Sequence, residues 1–181
     1  MKQNLLKTML VMAGIVAGSM GAWADTVVLN PTQTTVISSS VTTPQYDADA
    51  TSWACSQAQI NGVGAFKIGP VVLTKFDASS NLKGKNLKSA TLTFTSQCTY
   101  PGKNSNVQVA EVGTGWDATT ATWATVNTNE ILHPVCLNGN GVNVNNTAKE
   151  LTLDVTAALL DNSDNAIGFA IYTYTAREQA I

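Results

Sequence analysis

Histidine and charged side chains are scarce in this sequence. Charged residues make up 12% of its 181 residues, and His133 is the single histidine. Ten basic residues against 12 acidic ones give a formal net charge of −2. Nucleic-acid binding needs a basic surface, so we expect no nucleic-acid partner. The lone imidazole is not accompanied by a Gly-x-Ser-x-Gly motif, which argues against a Ser-His-Asp catalytic set. We therefore expect a non-catalytic protein.

The residue types that hold metal ions are also few. Cys55, Cys98 and Cys136 occur without a C-x-x-C spacing, so the sequence does not suggest a zinc site. Residues 161–165 (DNSDN) place oxygen ligands at short spacing, but calcium takes about six to eight oxygens, usually with several carboxylates. A plain turn is the favoured interpretation, with calcium binding as the alternative, and we predict no cofactor.

The apolar stretch at the N-terminus is too short to cross a bilayer, which takes about 20 residues. The first 24 residues are instead organised as a secretory signal, with Lys2 and Lys7, an apolar stretch over residues 5–17 and the small-residue motif AWA at 22–24. The sequence predicts cleavage before Asp25, secretion or a periplasmic or surface location in a bacterium, and no membrane span after cleavage. The mature chain then has a charge of about −4.

An exported protein meets an oxidising compartment, where one disulfide is expected and the third cysteine is left over. The sequence does not fix the pairing. We favour Cys98–Cys136, because both residues lie at predicted strand-to-loop junctions beside turn-forming residues at 100–102 and 138–139. Three free, buried thiols are the alternative.

Alternating apolar and polar residues predict strands through most of the mature chain. Residues 90–94 (ATLTF) and 107–112 (VQVAEV) place apolar side chains on one face, as half-buried antiparallel strands do. No helix of core length is indicated after residue 24, and residues 156–160 fit one helical turn. The sequence predicts an all-β protein, one antiparallel β-sandwich domain over residues 25–181. Further predicted strands cover residues 26–29, 34–41, 71–77, 150–155 and 166–175.

The sequence stops soon after its last apolar strand. A sandwich that ends at Ile181 leaves a sheet edge unpaired, and natural proteins usually protect such edges. We therefore expect that the domain lacks its last strand or that the chain continues into a longer protein. Residues 127–146 are rich in Asn and Gly. Within them, residues 138–141 (NGNG) are interpreted as a tight, mobile turn, since Asn-Gly pairs favour tight turns, and residues 138–146 as a loop and not as a domain boundary.

Six short motifs occur in the order and spacing of a known family: Lys75-Phe76-Asp77, Ser89-Ala90-Thr91-Leu92, residues 107–112, Trp116 with Thr122-Trp123, Asp154-Val155-Thr156 and Arg177-Glu178. On these residues the chain resembles, over about residues 26–178, the DNRLRE-type domain, an exported jelly-roll β-sandwich of bacterial surface and polysaccharide-degrading proteins. The resemblance implies a jelly-roll topology and, as in some members, binding of acidic polysaccharides such as alginate. Lys75 stands where the family usually has arginine.

Aromatic residues in predicted loops are the best candidates for ligand contact. Tyr46, Trp53 and Tyr100 lie outside the alternating runs, and Asp47 follows Tyr46 directly. Sugar-binding surfaces combine exposed rings with amides and carboxylates that hydrogen-bond to hydroxyls. We predict Tyr46, Asp47, Trp53 and Tyr100 as ligand-binding residues. The alternative is that these rings cover the end of the sandwich.

The other aromatic residues are weaker candidates for ligand contact. Trp116 and Trp123 are expected to pack in the framework, because large rings are good core material. Tyr172 and Tyr174 lie two positions apart on one predicted strand and so share a face. The sequence leaves open whether that face is an exposed aromatic strip or part of the core.

The expectation for function is a secreted, non-catalytic carbohydrate-binding module for an acidic or plant or algal polysaccharide, as the N-terminal part of a carbohydrate-active enzyme or of a surface protein. The alternative is a structural or adhesion module of a bacterial surface protein without a sugar ligand. An enzyme would need an ionisable cluster in a cleft, which the sequence does not indicate. The sequence leaves the glycan and the oligomeric state open.

Overall fold

The structure is a computed structural model that describes residues 8–15, 24–50, 70–96, 105–128, 135–138, 141–145, 147–161 and 166–174. Within these residues the chain forms ten β-strands and three short α-helices. Each strand pairing is antiparallel, which confirms the predicted antiparallel β architecture. In chain order the elements are β1 (Thr8–Ile15), β2 (Ala24–Leu29), β3 (Gln33–Ile37), β4 (Val71–Asp77), α1 (Ser79–Leu82), β5 (Asn86–Ser96), β6 (Ser105–Val112), α2 (Trp123–Thr128), β7 (Val135–Cys136), β8 (Val142–Val144), β9 (Lys149–Asp154), α3 (Thr156–Asp161) and β10 (Ala166–Tyr174).

The first sheet has four strands in the order β2-β1-β5-β9. In β5, Ala90, Leu92 and Phe94 are buried while the intervening threonines are partly exposed, so the period of two places one face of this sheet on the core. β1 pairs with β5 on one side and with β2 on the other. This strand lies within the segment predicted to be a cleaved signal, and the cleavage stays a prediction.

The second sheet has the order β3-β4-β10-β6-β7, and β8 also pairs with β6. β7 and β8 have only two and three residues, and the side chain of Asn138 links them along β6. Its Oδ1 accepts a hydrogen bond from the N–H of Val109, and its Nδ2 donates to the carbonyl of Val107, both at 3.0 Å. An amide side chain therefore continues the ladder where the backbone turns away.

The main core lies between the two sheets. Alternate residues of β5 pack against alternate residues of β6 and β10, including Val107, Val109, Ile167, Phe169 and Ile171. These side chains are buried to within 1% of full burial. The alternating sequence pattern predicted that Leu92, Phe94, Val107 and Val109 face the interior, and their burial confirms this prediction. The architecture is sandwich-like.

The second sheet is also covered on its other face. Residues 113–128, here called the covering segment, pack Trp116, Ala118, Ala121 and Val126 against this face. The sheet contributes Val71, Leu73, Ala110, Val112, Ala170 and Tyr172 to the same cluster. Both faces of β4 and β10 are therefore buried, which explains why their sequences read as continuous apolar runs and not as strict alternation.

Gly168 of β10 lets the chain pass from β6 into the covering segment. A Cβ atom at this position would lie 2.7 Å from the carbonyl oxygen of Val112 and 3.1 Å from that of Gly113. Those are backbone atoms that cannot move aside without shifting the strand. The absence of a side chain at Gly168 is thus required by the close approach of the departing chain.

The structure corrects the interpretation of residues 138–146 as a loop, because β8 lies within them. β7 lies just before them. Strands of two and three residues are too short to show a period of two, and their positions are set by pairing with β6.

Within the described chain, no helix is long and apolar enough to cross a membrane.

Truncation of a core residue in β5 should destabilise the chain strongly. Leu92 is fully buried between the sheets, so Leu92→Ala should lower the free energy of unfolding by about 2–5 kcal/mol. Thr95→Ala on the same strand changes a partly exposed residue and should cost less than about 1 kcal/mol. Urea unfolding of the full chain followed by far-UV circular dichroism measures both. Equal losses for the two variants would contradict this assignment of the core.

Candidate functional site

Residues 38–50, here called the Tyr46 loop, follow β3 and are mostly exposed. The loop begins with a tight turn in which the N–H of Val41 bonds to the carbonyl of Ser38 at 3.1 Å. Tyr46 is 41% exposed and is the one exposed aromatic side chain among the residues whose burial the structure gives. The predicted ligand residue Tyr46 therefore lies on the surface.

Asp47 is held by a local turn next to Tyr46. Its Oδ1 accepts a hydrogen bond from the N–H of Asp49 at 3.0 Å, and its carbonyl accepts one from the N–H of Ala50 at 3.3 Å. This arrangement is an Asx-type turn, in which a side chain satisfies a backbone donor two residues on. The turn fixes an exposed carboxylate in the residue that follows an exposed ring, and rings and carboxylates together can bind hydroxyl-rich ligands.

Several predicted site residues lie outside the described residues. They are Trp53 and Tyr100 of the ligand set, Cys55, Cys98, His133, and all but the first residue of the 161–165 stretch. Cys136 lies in β7, where its backbone pairs with Ala110. The convergence of Trp53 and Tyr100 on the Tyr46 loop and the Cys98–Cys136 disulfide stay predictions. Among the described residues, no group of three or more His, Cys, Asp or Glu is placed to hold a metal ion.

Trp116 and Trp123 serve the framework, as predicted. Trp116 is 4% exposed, and its Nε1 donates to the carbonyl of Gly113 at 2.9 Å. Trp123 is half-buried and packs against the same cluster. Tyr172 is also buried in that cluster, so its face of β10 is core. Tyr172 is therefore not part of an exposed aromatic strip.

A clamp formed by Gln33 and Lys75 attaches the covering segment to the sheet. These residues lie opposite each other in the β3–β4 pair. The Gln33 side chain accepts from the N–H of Ala118 and donates to Asp117 Oδ2, both at 3.1 Å. Lys75 Nζ donates to the carbonyls of Thr114 (3.3 Å) and Trp116 (2.5 Å). The clamp satisfies backbone groups that would otherwise be left without partners beside a buried sheet.

The ammonium of Lys75 also lies over an aromatic ring. Its Nζ is 4.7 Å from the centroid of the Trp116 ring, which is within the range of a cation–π interaction. Burial lowers the pKa of Lys75, while the nearby carboxylate of Asp117 opposes that shift and raises it. The hydrogen-bond partners of this lysine are thus backbone carbonyls.

Three aspartates share one local motif, Asp-x-Ser/Thr, at Asp77, Asp117 and Asp154. Asp117 accepts from the N–H (2.9 Å) and hydroxyl (2.5 Å) of Thr119. Asp154 accepts from the N–H (2.9 Å) and hydroxyl (2.6 Å) of Thr156. At Asp77 the donors are the hydroxyls of Ser79 (2.7 Å) and Ser80, and the N–H of Ser80 (3.3 Å). Each carboxylate thus begins a turn or helix.

The same motif lowers the pKa of each carboxyl and buries its middle residue. In each case the leading cause is a hydrogen bond from a side-chain hydroxyl. The hydroxyl of Ser80 lowers the pKa of Asp77, that of Thr119 lowers the pKa of Asp117, and that of Thr156 lowers the pKa of Asp154. The middle residues Ala78, Ala118 and Val155 are 0%, 1% and 2% exposed. These acids therefore anchor chain reversals and are not candidates for catalysis. The motif that the three sites repeat was not predicted from the sequence.

Removal of the lysine of the clamp should loosen the covering segment. Lys75→Met keeps the apolar stem but leaves the carbonyls of Thr114 and Trp116 without their charged donor, so the free energy of unfolding should fall by about 1–3 kcal/mol. Urea unfolding followed by tryptophan fluorescence measures this, because Trp116 lies in the segment. Lys88→Met, which changes an exposed lysine of β5, is the matched control and should differ little from wild type. A Lys75→Met protein as stable as the control would refute the clamp.

The aspartate motif should make stability depend on acidic pH. The folded pKa of Asp117 lies below the unfolded value of about 3.9, so its contribution is complete above that pH and is lost as the pH falls through the folded pKa. Asp117→Asn should therefore be less stable than wild type at pH 7, and the difference should shrink as the pH falls below about 4. Urea unfolding at a series of pH values measures it.

The companion variant Thr119→Ala removes the leading hydrogen-bond donor and should reduce the same pH dependence. Because hydrogen bonds and not distant charges dominate, the difference between Asp117→Asn and wild type should persist at about 0.5 M salt, where long-range charge interactions are screened. A difference that is constant from pH 7 to pH 2, or that disappears in salt, would show that the motif does not act as described.

The chain matches no family model, no curated protein and no solved structure in the three comparisons. The resemblance to the DNRLRE-type domain therefore stays an expectation that rests on six short motifs. Two of those motifs, at Asp77 and Asp154, have the local structural role described above. The function has to be argued from the geometry of the described residues, above all from the Tyr46 loop.

Proposed function

We propose that this chain is an exported, non-catalytic carbohydrate-binding module, and that its ligand is an acidic polysaccharide. The observation that carries the proposal is the exposed Tyr46 ring, followed in the chain by Asp47, whose carboxylate is fixed by a turn. An exposed aromatic ring offers a flat apolar face to a sugar, and a fixed carboxylate accepts hydrogen bonds from its hydroxyls. Export through the signal at residues 1–24 and the jelly-roll topology implied by the resemblance belong to the same proposal.

The distribution of charge supports an acidic ligand. No Asp or Glu occurs from residue 78 to residue 110, and this stretch holds Lys83, Lys85, Lys88 and Lys103. The first three of these lysines are exposed around α1 and the start of β5. A mature chain with a net charge of about −4 thus keeps a local group of positive charges, which can pair with the carboxylates or sulfates of a polymer.

A second candidate function is a structural or adhesion module without a sugar ligand. It is favoured by the burial of the other described rings. Trp116 and Tyr172 are core residues, and Trp123 is half-buried against the same cluster. If Trp53 and Tyr100 also pack inside, Tyr46 alone is a small platform for a glycan. The two functions differ in whether the folded protein is retained by any polysaccharide.

Replacement of the exposed ring should weaken glycan binding without loss of the fold. Affinity electrophoresis of the exported protein through gels that contain alginate, pectin, a sulfated algal glycan or neutral cellulose derivatives measures retention. We expect retention on at least one acidic polymer, and Tyr46→Ala should lower the affinity at least about tenfold, which corresponds to about 1.4 kcal/mol. Asp47→Asn should lower it as well, because a hydrogen-bond acceptor loses its charge.

Two further variants separate the ring from the charges. A Lys83→Ser, Lys85→Ser, Lys88→Ser triple variant should lose retention on acidic polymers and lose its sensitivity to salt, because ionic contacts are screened by salt. Leu160→Ala, which changes an apolar residue of α3 that is 54% exposed, is the control and should bind as wild type does. A folded wild-type protein that no polymer retains would establish the structural or adhesion function instead.

A further inference from the structure

β1 occupies an interior position of the first sheet although it belongs to the predicted signal. Eight residues of β1 pair with β5, and six of them also pair with β2. β2 has β1 as its sheet neighbour, since the strand order is β2-β1-β5-β9. Cleavage before Asp25 would remove all of β1 and the first residue of β2. The space between β2 and β5 is here called the β1 slot. After cleavage, the backbone groups of β2 and β5 that face this slot would have lost their partners in β1.

β2 cannot close the β1 slot with an equivalent pairing. β1 is antiparallel to both β2 and β5, so β2 and β5 run parallel to each other. If β2 moved across by one strand spacing, it would form a parallel pair within a sheet that is otherwise antiparallel, and such pairs are slightly less stable per residue. The slot as it stands fits one strand that is antiparallel to both of its walls and completes two hydrogen-bonded ladders.

The walls of the slot specify what that strand must be. On the core side, the register places Leu92 and Leu29 opposite position 10, and Ala90 and Val27 opposite position 12. Leu92, Leu29 and Ala90 are buried, and Val27 packs against the same cluster. Alternate positions of the occupant must therefore be apolar, because an unpaired charge on that face would be desolvated without compensation. The segment that fills the slot in the structure, TMLVMAGI, is uncharged.

We propose that the mature chain is a strand acceptor, and that its β1 slot binds an extended, uncharged segment of another polypeptide in place of β1. A second copy of this chain is a poor source. Among the described strands that remain, those with eight or more residues are β5, β6 and β10. β6 and β10 are paired on both sides, and β5 is itself a wall of the slot and stays paired with β9, so a second copy would have to insert a strand that still belongs to its own sheet. The main-chain ladders supply affinity, and the alternate apolar positions supply specificity.

The inference rests on the export in the proposed function but not on glycan binding, and the test separates the two. Full-length protein is exported from a bacterial host, purified, and its N-terminus is determined by intact mass. We expect a chain that begins at Asp25. The probe is then a fluorescein-labelled peptide with the sequence of Thr8–Ile15 and lysines added outside it for solubility. Fluorescence anisotropy should show saturable binding to the mature protein.

Peptide variants test the register. A charge at position 10, opposite Leu92 and Leu29, should weaken binding at least about tenfold (about 1.4 kcal/mol), whereas a charge at position 11, opposite Thr91 and Val28, should weaken it less. Hydrogen exchange with the peptide bound should slow the amides of β5 residues 86–94 by about tenfold or more and leave β4 unchanged. A mature chain that folds cooperatively only with the peptide present would support the proposal equally.

Four results would overturn the proposal. The first is an exported protein that retains residues 8–15, which would make β1 a permanent strand and would leave the glycan-binding proposal to be judged by its own assay. The second is a scrambled peptide of the same composition that binds as well. The third is a mature chain that neither binds the peptide nor is stabilised by it. The fourth is a mature chain that dimerises and protects the β5 amides without peptide, which would assign the slot to a second copy.

Discussion

The structure depends on the burial of one sheet on both faces. β4 and β10 are at the middle of the second sheet, where one face packs on the first sheet and the other on the covering segment. Apolar side chains on both faces of a strand have to be removed from water, and a two-layer sandwich protects only one of them. A third layer is therefore required, and residues 113–128, which are irregular as far as α2, provide it with small and aromatic side chains.

A covering layer without regular ladders needs other means to satisfy its backbone. The clamp of Gln33 and Lys75 supplies donors and an acceptor from the sheet, and the Asp-x-Ser/Thr motif supplies acceptors from within the segment. The same motif ends β4 and β9, where the chain leaves a strand and begins a helix. Polar residues that a functional search would single out as an acid cluster thus have a structural cause, because each holds a chain reversal over a buried small residue.

How well each element could be predicted from the sequence depended on how the element is buried. The sequence predicted both β5 and β6. β5 alternates because one of its faces is more exposed, whereas β6 buries Val107 and Val109 in the main core and Ala110 and Val112 against the covering segment. The burial of Tyr172 was not predictable, since the sequence of β10 does not say that a further layer covers its second face. β7 and β8 are defined by pairing with β6 and by the Asn138 amide, which no local period encodes. Tyr46 and Asp47 were found because a loop rich in polar residues keeps them exposed, whereas the clamp was missed because its members are 42 residues apart in sequence.

β1 shows why a sequence pattern can support two interpretations at once. A short, uncharged, apolar segment with small residues after it is what a secretory signal requires, and it is also what the β1 slot requires, since both of its walls are apolar on the core side. Within the cell the two interpretations exclude each other, because cleavage removes the strand. Since β2 runs parallel to β5, the vacated sheet has no equivalent replacement within the described chain. The slot would therefore become a binding site on removal of the signal because β2 and β5 run in the same direction. The composition of the signal is not the reason.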